Sequence, residues 1–157
     1  MASARDITDL DGREPFGAAA ARVVAIRAQE VWDHSHDVQD TGDIERVHDM
    51  RVATRRLRAM LEVFAPCFPA KAHRDVLRDV RDLADALGRR RDLDVQIDLL
   101  RSYGEQAASA DRRGVESLVE HFREVQAAGN ADLAQALDEV KRRDLRARLT
   151  ALVEAAA

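Results

Sequence analysis

Four side chains in the segment 47–58 share the spacing and the chemistry to hold an anion: His48, Arg51, Arg55 and Arg58. On a helix turning about 100° per residue they fall within roughly 80° of one another. Imidazole and guanidinium both donate hydrogen bonds to anionic oxygen, and the guanidinium fork grips phosphate or carboxylate with two parallel bonds. Arg56 stands at the other flank of this stripe. Met50, Leu57, Leu61 and Phe64 gather on the opposite side and form the core face. Asp49 is the one acid between Arg46 and Arg58. The arginines therefore repel one another by a few tenths of a kcal/mol per pair until a counter-charge arrives. The ordinary alternatives are a solvated basic face, or pairing with acids on a neighbouring helix.

A second basic row follows. Arg74, Arg78 and Arg81 stand at i, i+4 and i+7, while Val76, Val80, Leu83 and Leu87 occupy another face. Arg89, Arg90 and Arg91 come directly after Gly88. Continued helical rotation carries Arg91 into the apolar arc, where an unpaired charge is expensive, so Arg91 requires a partner. Residues 46–91 hold 12 Lys+Arg against 6 Asp+Glu, a surplus of six positive charges. The remainder holds 13 against 23, which returns the net charge of −4. Paired antiparallel, two basic helices would line a groove suited to a phosphate-bearing polyanion.

Catalytic readings start from His48 and Asp49, adjacent residues of the kind that HD-type metal-dependent phosphohydrolases use in all-helical folds. Such a centre needs further ligands, for which His34, His36, Asp92 and Asp94 are the inventory. Asp49 lies about 100° around the helix from His48, and the surrounding arginines repel a divalent cation. His34 and His36, two apart, point in different directions and make poor joint ligands. The expectation is a non-catalytic chain without metal or cofactor. Neither a Gly-rich phosphate loop nor a nucleophile elbow is present. Nucleic acid is a weaker partner, because the stripe lacks interleaved aromatics, Asn or Gln to read bases. Trp32 reads as core or rim packing, and Cys67, between Pro66 and Phe68, as a buried thiol.

The elements that must position these residues are helices. The 157 residues, 46% hydrophobic and 34% charged, supply one core and abundant solvated surface. Aromatics at 4%, with seven Gly and three Pro, disfavour a β-sandwich. Helices are predicted over 15–37, 44–65, 69–103 with a kink at Gly88, 109–128, and 131–153. Thr41 or Asp43 caps the second, Pro66 ends it, and Gly129-Asn130 stops the fourth. Short connections predict antiparallel neighbours. Residues 1–13 read as a flexible polar N-terminus and 14–157 as an all-α antiparallel bundle of four to five long helices. No apolar run reaches the roughly 20 residues that span a bilayer, and no signal core is evident, so a cytoplasmic protein without membrane partners is expected. A single cysteine excludes an internal disulfide. Of the 25 basic residues 23 are Arg, which a high-GC genome or a need for bidentate anion binding would each produce.

Two stretches together resemble a known family. His48, Arg51, Val52, Arg55, Arg56, Leu57 and Arg58, followed by Leu87, Gly88, Arg91, Asp92, Leu93, Asp94 and Val95, are similar to the motifs of the CHAD family, the conserved histidine α-helical domain. The resemblance covers roughly 16–153. It implies an all-helical domain that binds inorganic polyphosphate through basic side chains lining a cavity, in some relatives on polyphosphate granules. His48, Arg51, Arg55 and Arg58 would contact phosphates, with Arg56, Arg81 and Arg91 at further basic positions. Asp92 and Asp94 would orient a neighbouring arginine or form ordinary surface ion pairs. The full family domain is two pseudo-symmetric bundles, and this chain matches one half. A homodimer, or a second CHAD half from elsewhere, is the expected completion.

Overall fold

The computed structural model describes residues 3–8 and 11–156. Among them are five α-helices and one short 3-10 turn, with no strand. Helix α1 spans Phe16–Asp33, α2 Ile44–Val63, α3 Ala70–Gln106, α4 Ser109–Arg142 and α5 Leu145–Glu154. The 3-10 turn, Ala65–Cys67, follows α2 where Pro66 cannot donate to a continuing helix. Asp43 caps α2 by accepting a hydrogen bond from the Glu45 amide at 3.2 Å.

The fold is an antiparallel helical bundle, as the short connections require. One core unites the apolar stripes of four helices. Val24, Ala28 and Val31 come from α1, and Met50, Leu57 and Leu61 from α2. Val76, Val80, Leu83 and Leu87 of α3 meet Leu145, Leu149 and Leu152 of α5. From α4 Leu133 alone is fully within this cluster, with Ala136, Leu137 and Val140 packed at its edge. Trp32 packs at the edge as well, with the Arg146 guanidinium 6.0 Å from its ring centroid. Cys67 is buried.

Gly88 does not interrupt helix α3. The helix runs unbroken for 37 residues, about 55 Å at 1.5 Å per residue. A methyl group at Gly88 would stand 3.9 Å from the Arg51 guanidine, so the glycine adjoins the stripe on α2. Gly129-Asn130 likewise fails to stop α4. A methyl at Gly129 would come within 3.3 Å of the Leu93 side chain, so this glycine serves close approach of two helices rather than capping. The Asn130 amide donates to the Gln39 carbonyl at 3.0 Å. The true break lies at Asp144, whose φ of 47° is left-handed and whose carboxylate caps α5 through the Ala147 amide. Asp tolerates this conformation better than most residues, which is why neither Gly nor Pro marks the turn.

Beyond the N-terminus of α2, the C-terminal part of α3 and the N-terminal part of α4 continue as a two-helix hairpin. Ile97 and Val119 are buried there, while Val95, Leu99, Tyr103, Leu118 and Val125 are exposed. At the opposite end the buried Asp79 carboxylate anchors α3 to the α4–α5 junction. It accepts from Arg143 at 2.9 Å and Arg148 at 2.5 Å. The segment around Arg5 lies against α1. Its amide donates to Glu30 at 2.6 Å, and its carbonyl accepts from Arg27 at 3.1 Å.

Candidate anion-binding groove

Helices α2 and α3 run antiparallel, and three contacts fix their register. Arg91 reaches the first turn of α2, donating to the Ile44 carbonyl at 3.0 Å and to Glu45 at 3.3 Å. Gly88 stands beside Arg51. Near the far end, the His73 ring nitrogen lies 2.8 Å from the Leu61 carbonyl. This register brings the α2 stripe against one edge of α3.

His48 and Arg51 are half-buried, Arg55 is exposed, and Arg58 is half-buried. Neither Arg51 nor Arg55 makes an ion pair or side-chain hydrogen bond among the described residues. Their charges are therefore uncompensated at close range. Arg58 and Arg81 instead converge on one carboxylate, donating to the same oxygen of Glu62 at 3.1 and 2.8 Å. These two guanidinium groups hold the Glu62 carboxyl below its ordinary value of 4.5. The three groups remain partly solvated, so the pairing contributes little to stability.

The nine proposed residues do not all meet. His48, Arg51, Arg55 and Arg58 from α2 and Arg81 and Arg91 from α3 lie along the α2/α3 groove. Arg78 leaves this line, pairing with Asp75 at 3.1 Å and approaching Asp79 at 3.8 Å. Arg74 is exposed one turn earlier, with no ion pair among the described residues. Arg56 is half-buried on the other flank of α2.

The rotation argument for Arg91 requires correction. Arg91 is half-buried and bound to the α2 first turn, whereas its neighbour Arg90 is fully enclosed. Because α3 stays regular, the series Leu83, Leu87 continues at Arg90, Asp94 and Ile97, all buried. Arg90 pairs with Asp94 one turn on. Arg90 and Arg91 flank the apolar arc on opposite edges, so rotation alone does not separate them, and the packing encloses Arg90. Asp94 is therefore not a surface ion pair, while Asp92 is exposed.

Glu45, His48 and Asp49 also converge, each offering one ligand atom within 4.8 Å of the others. Glu45, which the sequence argument did not single out, thus touches both His48's surroundings and Arg91. The four further ligands that an HD-type centre would draw on lie outside this group. His34 and His36 follow α1, Asp92 is exposed on α3, and Asp94 faces Arg90.

No helix among the described residues is long and apolar enough to cross a membrane. Chemically, the groove offers two free guanidinium groups, an imidazole beside them, and three more guanidinium groups held by exchangeable carboxylates. Such a row has the donors to hold repeated anionic oxygens. Residues 22–157 match the family model of the CHAD domain. Comparison with curated proteins gives no match.

Proposed function

This chain belongs to the CHAD domain family, and from that premise we propose that it binds inorganic polyphosphate without turning it over. The observation that carries the reading is the pair Arg51 and Arg55. They are in line with His48 on α2, and no acid neutralises them among the described residues. A polyanion lying along the groove would contact these first, then compete with Glu62 for Arg58 and Arg81 and with Glu45 for Arg91. Bidentate contacts favour phosphate over a diffuse counter-ion cloud, and the lack of aromatic side chains in the row disfavours stacked bases.

The family domain elsewhere comprises two bundles, so we propose that a homodimer, or a second CHAD half, completes the cavity. The exposed Val95 and Leu99 support this, since they continue α3 past the point where α2 ceases to cover it. A cytoplasmic setting, on polyphosphate granules, accords with this partner.

Titration calorimetry with polyphosphate at two or more salt concentrations tests the reading. Binding whose affinity falls steeply with salt, and which RNA at equal phosphate concentration does not abolish, is expected. No heat at low salt would reject it. A second reading, metal-dependent phosphate hydrolysis, draws on the convergence of Glu45, His48 and Asp49. Stoichiometric divalent metal together with phosphate release would select it over the binding module.

A further inference from the structure

The groove does not end where α2 begins. Ile44, whose carbonyl receives Arg91, is one turn before His48 and seven residues before Arg51, so it continues the same side of α2. Ile44 also lines a cavity of about 430 Å³ that opens between the α2 N-terminus and the α3–α4 hairpin. Arg101 of α3 and Arg123 of α4 line this cavity from opposite helices, with Thr41 at its edge. Both arginines are exposed, and neither makes an ion pair or hydrogen bond among the described residues.

The cavity's charge balance is positive. Two carboxylates line it, Asp94 and Asp98. Asp94 is already satisfied on one oxygen by Arg90 and by the Gln126 amide, so its charge is matched by the buried guanidinium. Asp98 remains against two guanidinium groups. A neighbouring opening further along the hairpin also includes Arg101 and Arg123, with Arg112, but there Glu105, Glu116 and Glu120 join them. Those three acids cancel the three guanidinium charges and set an outer limit to any basic track.

We infer that Arg101 and Arg123 form a second anion subsite, which extends the α2/α3 groove around the α2 N-terminus and engages only long polyphosphate chains. This rests on the polyphosphate reading above. The spacing gives the length dependence. Arg81 marks one end of the groove and Arg91 the other, about 15 Å apart along α3, and Arg101 lies about another 15 Å beyond. A short oligophosphate fits on the groove alone. A chain spanning about 30 Å reaches from Arg81 to Arg101 and adds two bidentate contacts. The ends of α3 and α4 that carry these arginines sit outside the main core, so their removal leaves the bundle intact.

The experiment compares affinity for inorganic tripolyphosphate and for a long-chain polyphosphate in three proteins. These are the wild type, Arg101→Ala/Arg123→Ala, and Arg51→Ala/Arg55→Ala. For the hairpin variant, long-chain affinity should fall about tenfold, and the log–log salt slope should shrink by about 1.4 for two lost contacts. Its tripolyphosphate affinity should stay within about twofold of wild type, while the α2 variant should lose affinity for both lengths. Unchanged long-chain affinity in the hairpin variant overturns the second subsite and leaves the groove reading standing. Equal weakening for both lengths overturns it as well, since the arginines would then serve the groove itself. A wild-type protein that binds neither ligand rejects the groove reading together with its extension.

Discussion

Arg90 and Asp94 form an ion pair one turn apart on α3, with neither side chain exposed to solvent. Gln126 of α4 donates to the same Asp94 oxygen at 2.6 Å, so the pair lies at the seam where the hairpin joins the bundle. Burial shifts Arg90 towards its neutral form. The Arg90 Nε and one terminal nitrogen, and the second Asp94 oxygen, find no acceptor or donor in the described protein. A buried pair of this kind costs desolvation that its attraction only partly offsets.

Removing one partner should therefore hurt far more than removing both. Arg90→Ala is expected to cost about 3–5 kcal/mol in urea unfolding, because it strands the Asp94 carboxylate. The double replacement Arg90→Met/Asp94→Leu should recover most of that loss. A single variant as stable as wild type would show that the pair is not buried in solution.

Glu62 restrains two guanidinium groups at once, so its loss should strengthen anion binding. Glu62→Gln is expected to raise polyphosphate affinity about threefold and steepen the salt dependence, since Arg58 and Arg81 become available. Calorimetry on the two proteins side by side decides this. Weaker binding would mean that Glu62 orients the arginines rather than competing for them.

The same residue sets a pH effect on stability. Its carboxyl is held below 4.5 in the folded chain, so its pairing is fully present above that value and is lost as pH falls through the lower folded value. Thermal midpoints measured from pH 7 to 3 should therefore fall slightly less in Glu62→Gln than in wild type at the acid end. The effect is small because the group is well solvated.

Reversing charge in the centre of the groove should have the opposite sign. Arg51→Glu or Arg55→Glu is expected to weaken polyphosphate binding by tenfold or more and to flatten its salt dependence by about one contact. Both side chains are free of ion pairs, so the folded state should be nearly unaffected. A change in thermal midpoint without a change in affinity would assign these arginines a structural role.

The His48 imidazole stands in line with Arg51 and Arg55 and can donate a hydrogen bond to anionic oxygen. His48→Ala is expected to weaken polyphosphate binding about threefold at constant pH and salt, the loss of one hydrogen bond. Parallel calorimetric titrations of the two proteins check this. Identical affinities would remove His48 from the groove's function.

Helix period and composition alone determined the all-helical bundle, the α2 stripe and the apolar faces opposite it, because these depend on side-chain rotation within one helix. The linear pattern also determined that positive charge concentrates in two consecutive helices. What it could not assign was the role of glycine. Gly88 and Gly129 are helix breakers by local propensity, yet both sit inside long helices where a neighbouring helix comes close, and packing outweighs propensity. On a regular helix Arg90 and Arg91 fall on the two edges of the apolar arc, and packing encloses Arg90 while Arg91 reaches the first turn of α2. Tertiary structure alone decided which arginines are spent on acids and which are free. Glu62 of α2 reaches Arg81 of α3, and Glu45 of α2 reaches Arg91 of α3. The Glu62–Arg81 and Glu45–Arg91 pairings join residues 19 and 46 positions apart on separate helices, and only the packing of the bundle brings such charges within reach.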